Sequence, residues 1–99
     1  MNLVFSEAAK RDLDELRAYL MPLSAAGLAN VTSALASRIR LVSENPAIGR
    51  KTPREGVREV VEPKYGFVIP YYVKDETIFI LKVYRSRRKP LDYLVLDLL

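Results

Sequence analysis

The 99-residue chain contains no cysteine and no histidine. Without cysteine it has neither a disulfide framework nor a thiolate metal site. Without histidine it lacks the usual general acid or base at neutral pH and the commonest transition-metal ligand. No metal and no cofactor are therefore expected. No apolar run approaches the roughly 18 residues that span a bilayer. The opening stretch, MNLVFSEAAKRDLDEL, has no basic leader followed by an apolar core. The expectation is a protein of the cytoplasm, without membrane attachment. No repeat, low-complexity tract or interdomain linker interrupts the chain, so residues 1–99 are read as a single domain.

What is present suits a small globular domain. Hydrophobic residues make up 49% and charged residues 28%, a balance that argues against disorder. At this length the core is modest. The net charge is +4, and its distribution says more than its size. Residues 1–37 hold three basic and four acidic side chains, residues 38–90 hold thirteen and six, and the last nine add two acids. The positive charge belongs to the second half. It favours acidic partners: nucleic acid, an acidic protein segment, or an enzyme that holds nucleic acid. The competing reading is a solvated basic face that keeps the protein soluble.

The first half predicts a short strand and two helices. Asn2–Phe5 is β-prone, with Leu3 and Phe5 on one face. Ser6 then offers a helix N-cap, with Glu7 in the first turn. Ala9, Leu13, Leu16 and Leu20 recur at helical spacing until Pro22 stops the helix near Leu20 or Met21. Ser24 caps a second helix whose apolar stripe is Leu28, Val31, Leu35, Ile39 and Val42. Asn45-Pro46 ends it. So short a connection makes an αα-hairpin, and neither helix buries its stripe alone. Ala47–Gly56 reads as a basic loop, serving either as a phosphate- or partner-contacting element or as a surface linker.

The second half predicts three strands followed by a burst of positive charge. Val57–Glu62 alternates, while Tyr65–Lys74 and Thr77–Tyr84 are rich in aromatic and β-branched residues. Asp75-Glu76 is short enough for a tight hairpin turn, although it lacks glycine. Pro70 removes one ladder donor from the middle of its strand. It therefore sits at a bulge, or its missing N–H points away from a partner. The tail PLDYLVLDLL is apolar and too short to be stable alone. It covers the protein's own core or is left partly open for a partner.

These segments, in this order, carry a resemblance. VREV, then Tyr65-Gly66-Phe67-Val68-Ile69-Pro70-Tyr71-Tyr72-Val73, then Ile78-Phe79-Ile80-Leu81-Lys82-Val83 and an arginine cluster, resemble the toxin half of bacterial toxin–antitoxin pairs. The family is the RelE/ParE superfamily, and the pattern looks most like its ParE branch. The segment NPAIGR resembles the family's link from second helix to sheet. The resemblance covers nearly the whole chain and rests on segment order rather than on one diagnostic motif. It implies an α+β fold, β-α-α-β-β-β, with a helical hairpin packed on a small, mainly antiparallel sheet.

Two kinds of action follow from the resemblance. A ParE-like toxin poisons DNA gyrase by binding, and needs no acid or base. Arg58, Lys82, Arg85, Arg87, Arg88 and Lys89 would then form the target-binding surface, arginine being suited to bidentate contacts with carboxylates and phosphates. Many ParE-like sequences carry a histidine where Tyr84 stands. A RelE-like toxin instead cleaves messenger RNA on the ribosome, which needs cations at the phosphate and a group to move a proton. Alignment on Tyr71-Tyr72-Val73 places that branch's catalytic arginine at Val68, which supplies neither charge nor proton. Arg87 or Arg88 and Tyr93 match its later residues only with an adjustable gap. No catalytic residue is assigned, and a pure interaction module would carry the same sequence. All readings share a cognate antitoxin as partner. Its expected contacts are Leu13, Leu16 and Leu20 with Leu91, Tyr93 and Leu94 of the tail, each weighed against simple core packing.

Overall fold

Two serines set where the helices begin. In the computed structural model, which describes residues 1–85 together with Leu91 and Tyr93, strand β1 (Asn2–Phe5) leads directly into helix α1 (Glu7–Leu20). The Ser6 hydroxyl accepts the Ala9 N–H at 3.0 Å, satisfying an orphan donor of the first turn. The Ser24 hydroxyl does the same for Gly27 at 2.9 Å, and opens α2 (Ala25–Glu44). Pro22 and Pro46 lie just past the two ends, as expected from their inability to continue a helix.

The remaining chain forms β2 (Arg50–Lys51), β3 (Arg58–Glu62), β4 (Phe67–Lys74), β5 (Thr77–Ile80) and β6 (Tyr84–Arg85). The sheet order is β1-β5-β4-β3-β2, with β6 also paired to β4. β1 runs parallel to β5 and every other pairing is antiparallel. This is the α+β arrangement predicted, a helical hairpin on a mainly antiparallel sheet. The loop expected over Ala47–Gly56 contains the short β2, which pairs with β3. The strand expected to begin at Tyr65 begins at Phe67, because Pro63 to Gly66 is a turn. There the buried Glu62 carboxylate accepts the N–H groups of Lys64 (2.6 Å) and Tyr65 (2.8 Å), and Gly66 has a φ of 78°. The Asp75-Glu76 link does hold a two-residue hairpin. Both residues lie in the left-handed region, at φ 51° and 55°, as a type I′ turn demands.

Pro70 sits opposite a bulge. The register passes from Tyr71↔Ile80 to Val68↔Tyr84, so Ile69 and Pro70 face three residues, Leu81 to Val83. The strand expected over Thr77–Tyr84 is thereby split into β5 and β6. Leu81 N–H still donates to the Pro70 carbonyl at 2.9 Å. The reciprocal bond has no donor, and the Leu81 carbonyl accepts instead from the Ser6 hydroxyl at 2.8 Å. Val83 N–H donates to Asp12 Oδ2 at 2.9 Å, and Lys82 Nζ meets Asp12 Oδ1 at 3.0 Å. The cap and the first turns of α1 thus satisfy the Leu81 carbonyl and the Val83 N–H at the bulge.

The core lies mainly between helices and sheet. Val31, Leu35, Ile39 and Val42 of α2, with Ala9 of α1, pack on Val60, Phe67, Ile69, Tyr71, Ile78 and Ile80. A second, smaller cluster lies on the opposite face. There Val57, Tyr72, Leu81 and Tyr93 come together, flanked by Phe79 and Leu91. The rings of Tyr72 and Phe79 stack at 4.9 Å between centroids.

Candidate interaction surfaces

α1 and α2 leave a groove between them. It measures 680 Å³ and is lined by Leu3 and Phe5 of β1, Leu13 and Leu16 of α1, and Leu28 and Ile39 of α2, among others. Its side chains are mostly apolar, with the polar groups of Arg17, Arg40 and Asp14 also lining it. It exists because α1 turns only Ala9 fully inward. Leu13, Leu16 and Leu20 are partly buried against the core rather than closed over by it. Of the residues expected to meet a partner, Leu13 and Leu16 line this groove, and Leu20 packs beside them. Leu91 and Tyr93 lie elsewhere, on the far face of the sheet. Leu94 lies outside the described residues.

The expected cationic surface is distributed over three regions. Arg58 Nη1 donates to the Gly49 carbonyl at 2.7 Å. Lys82 is tied to Asp12 of α1, with a quarter of its side chain exposed. Arg85 stands over the Phe67 ring, 5.0 Å from its centroid, a cation–π contact. Arg87, Arg88 and Lys89 lie outside the described residues.

Two polar clusters emerge that the sequence did not mark. The first is on the face away from the helices. Arg50 Nε meets Glu59 Oε1 at 2.6 Å, Tyr93 donates its hydroxyl to Glu59 Oε2, and the Tyr84 and Tyr93 hydroxyls are 3.5 Å apart. Arg54 Nη1 also donates to the Tyr93 carbonyl at 3.3 Å. Burial and the Glu59 charge push the Tyr84 phenol above its ordinary value of 10.0, against the lowering effect of Arg50. It therefore remains a hydrogen-bonding phenol, not a base, at neutral pH. The second cluster surrounds Tyr71, whose hydroxyl donates to the Pro46 carbonyl at 2.7 Å and accepts from Gly49 N–H at 2.9 Å. Burial raises its pKa, partly offset by the Gly49 hydrogen bond and the Arg58 charge. Both clusters join residues distant in sequence, and nothing in local periodicity reveals them.

Among the described residues no three acidic side chains gather as a metal site would require, and no helix is long and apolar enough to cross a membrane. The arrangement offers an apolar groove, cationic side chains in separate regions and hydrogen-bonding phenols. Such groups suit binding.

A two-helix hairpin on a bulged, mainly antiparallel sheet is the architecture of the RelE/ParE toxins. The profile of the family described as "ParE toxin of type II toxin-antitoxin system, parDE" matches residues 3–90, and the chain belongs to that family. Among solved structures it is similar to the chromosomal ParDE toxin–antitoxin system from P. aeruginosa. The identity there is 27% over 86% of this chain and 95% of that one, with a TM-score of 0.64. It also shares its fold with the E. coli RelBE toxin–antitoxin complex, at 19% identity over 88% and 98% of the two chains and a TM-score of 0.59. The isolated E. coli RelE toxin matches at 18% identity over 89% and 86%, with a TM-score of 0.59. No curated protein sequence matches the chain significantly.

Proposed function

We propose that this chain is a cytoplasmic toxin that arrests growth by binding DNA gyrase and is silenced by a cognate antitoxin. The observation that carries the reading is the match to ParE toxins across residues 3–90, nearly the whole domain. The groove supports the antitoxin half of it. An amphipathic helix laid between α1 and α2 would cover Leu13 and Leu16, and carboxylates on its rim would meet Arg17 and Arg40. An acidic antitoxin would also be steered by the basic half of the chain. Arg85, with Arg87, Arg88 and Lys89 close by in sequence, supplies the contact with the target.

The test is a supercoiling assay with purified toxin, with and without antitoxin. The expected result is inhibition or trapped cleavage complexes, relieved by antitoxin. No effect at high toxin excess overturns the gyrase assignment. Reversing charge at Arg85, Arg87 and Arg88 together should abolish growth arrest while leaving a folded protein, and a folded triple variant that still arrests growth removes that role.

Ribosome-dependent cleavage of messenger RNA is the second reading, favoured by one feature. Glu59, Tyr84, Tyr93 and Arg50 lie together on one sheet face and include the residue types that metal-free RNA cleavage uses. Against it, Val68, where the resemblance would put an arginine, is buried beside Tyr84 in the ladder. Discrete new ends in ribosome-bound message after toxin expression, with supercoiling untouched, would favour this second reading.

A further inference from the structure

The alternation of faces along β5 breaks at Val83. Up to Lys82 it is regular: Ile78 and Ile80 join the helix-covered core, while Phe79 and Leu81 join the cluster on the far face. Lys82 keeps the pattern and reaches the helix side, where its Nζ meets Asp12 Oδ1 at 3.0 Å. Val83 should then turn to the far face. Instead it packs in the helix-covered core with 6% of its surface exposed. Two successive residues on one side are the signature of the bulge, and each residue after them changes face. Tyr84 therefore stands on the far face beside Tyr93. Arg85 stands on the helix side, over the ring of Phe67, its opposite number in the ladder. In an unbulged strand these two side chains would be exchanged.

Asp12 of α1 holds both residues of this doubled step. Oδ1 takes the Lys82 ammonium, and Oδ2 accepts the Val83 N–H at 2.9 Å. The pair is sheltered, with 16% of the Asp12 side chain and 27% of the Lys82 side chain in solvent. A peptide N–H at a buried residue is costly to leave unpaired, so losing the carboxylate weakens the bulged register against an unbulged one. We propose that Asp12 is a positioning residue for target binding. By pinning Lys82 and Val83 to α1, it fixes the face on which Arg85, and so the start of the basic segment, is presented. This rests on the reading of Arg85 as part of the target contact, and it moves Lys82 from contact to support. A guanidinium lying over a ring keeps its edge donors for a carboxylate or phosphate. Fixing its face in advance removes an ordering cost that binding would otherwise carry.

Four full-length variants test it: Asp12→Ala, Asp12→Asn, Ile78→Val and Arg85→Glu. The readouts are hydrogen exchange at the Val83 amide, the ring-current shift that Phe67 imposes on the Arg85 methylenes, melting temperature, the expression level that arrests growth, and gyrase supercoiling. In the parent, the Val83 amide should exchange slowly and the Arg85 shift should be present. Absence of either overturns the proposal, whether or not Asp12→Ala folds. Asp12→Ala should speed Val83 exchange by about tenfold and remove the shift. It should also raise the level needed for arrest by about tenfold, as expected when preorganisation is lost. Asp12→Asn keeps an acceptor for Val83, so it should retain the shift and stay within about threefold of the parent. Ile78→Val lowers stability in the core without touching the bulge, and should keep the parent's potency. An equal loss of potency there assigns the effect to stability and overturns the proposal. So does parental potency in Asp12→Ala when Arg85→Glu is inactive. Parental potency in Arg85→Glu removes Arg85 from the contact, and the proposal falls with that reading. If the parent arrests growth without affecting supercoiling, the gyrase assignment alone falls and Asp12 is judged on growth arrest. If the parent does neither, both fall.

Discussion

The two faces of the sheet are closed by different means. On one, α2 and the start of α1 lay Val31, Leu35, Ile39, Val42 and Ala9 across six sheet residues. Contact there is apolar and repetitive, and most of its strength is area removed from water. On the other, two residues near the end of the chain, Leu91 and Tyr93, cover Tyr72, Leu81 and Val57. Among the described residues that cover is small, and it is fastened by individual polar contacts from Tyr93 to Glu59 and Arg54. One face is held by periodicity. The other, among the described residues, is fastened through a few named atoms.

The sharpest way to break this contrast is at the centre of the helix-covered face. Ile80→Ala should cost about 3–4 kcal/mol, the usual penalty for a cavity at a fully buried aliphatic site. Urea denaturation would show it as a large drop in midpoint, and a loss under about 1 kcal/mol would mean the two faces are not unequal in this way. On the far face, Tyr93→Ala should cost about 2 kcal/mol, less than full truncation of a central aromatic, because the ring sits at the edge of a small cluster. Tyr93→Phe should recover half of that, leaving about 1 kcal/mol for the bond to Glu59. If Phe and Ala at 93 are equally destabilising, packing contributes nothing and the fastening is wholly polar.

The smallest effect is a matter of pH. The Tyr71 phenol has its pKa raised above 10.0 by burial, so the unfolded chain releases this proton first. Its contribution is fully present below the unfolded value of about 10 and is lost as pH rises through the folded value. Thermal melts from roughly pH 9 to roughly pH 11.5, the range around the free phenol's value, should show a shallower decline in Tyr71→Phe than in the parent. Equal slopes would mean that the hydroxyl titrates freely and the clamp on Gly49 is loose.

Much of the fold was legible from local chemistry. Ser6, Pro22, Ser24 and Asn45-Pro46 bounded both helices to within a residue, because capping and proline restrictions act through near neighbours. Strand positions followed from β-branched and aromatic runs. The bulge opposite Pro70 was one of two outcomes the sequence left open. β2 was missed because a two-residue strand has no period to read. The clusters around Glu59 and Tyr71 were missed for a different reason. Arg50 and Glu59 are nine residues apart, and Tyr71 reaches the 46–49 turn across more than twenty.

By itself, then, the amino-acid sequence determined the two helices and their ends, the order of the main strands, the basic second half and the kinship with ParE toxins. The helix ends and the charge distribution depend on residue type and short-range spacing, and the kinship on the order of matching segments along nearly the whole chain. Only the tertiary structure decided that Leu13 and Leu16 open onto a groove while Tyr93 is sealed against the opposite face. It alone decided that Arg58 holds a turn and Lys82 holds a helix. Side-chain partners depend on which strands pair and at what register, and a register shift of one residue at Leu81 to Val83 changes every contact beyond it.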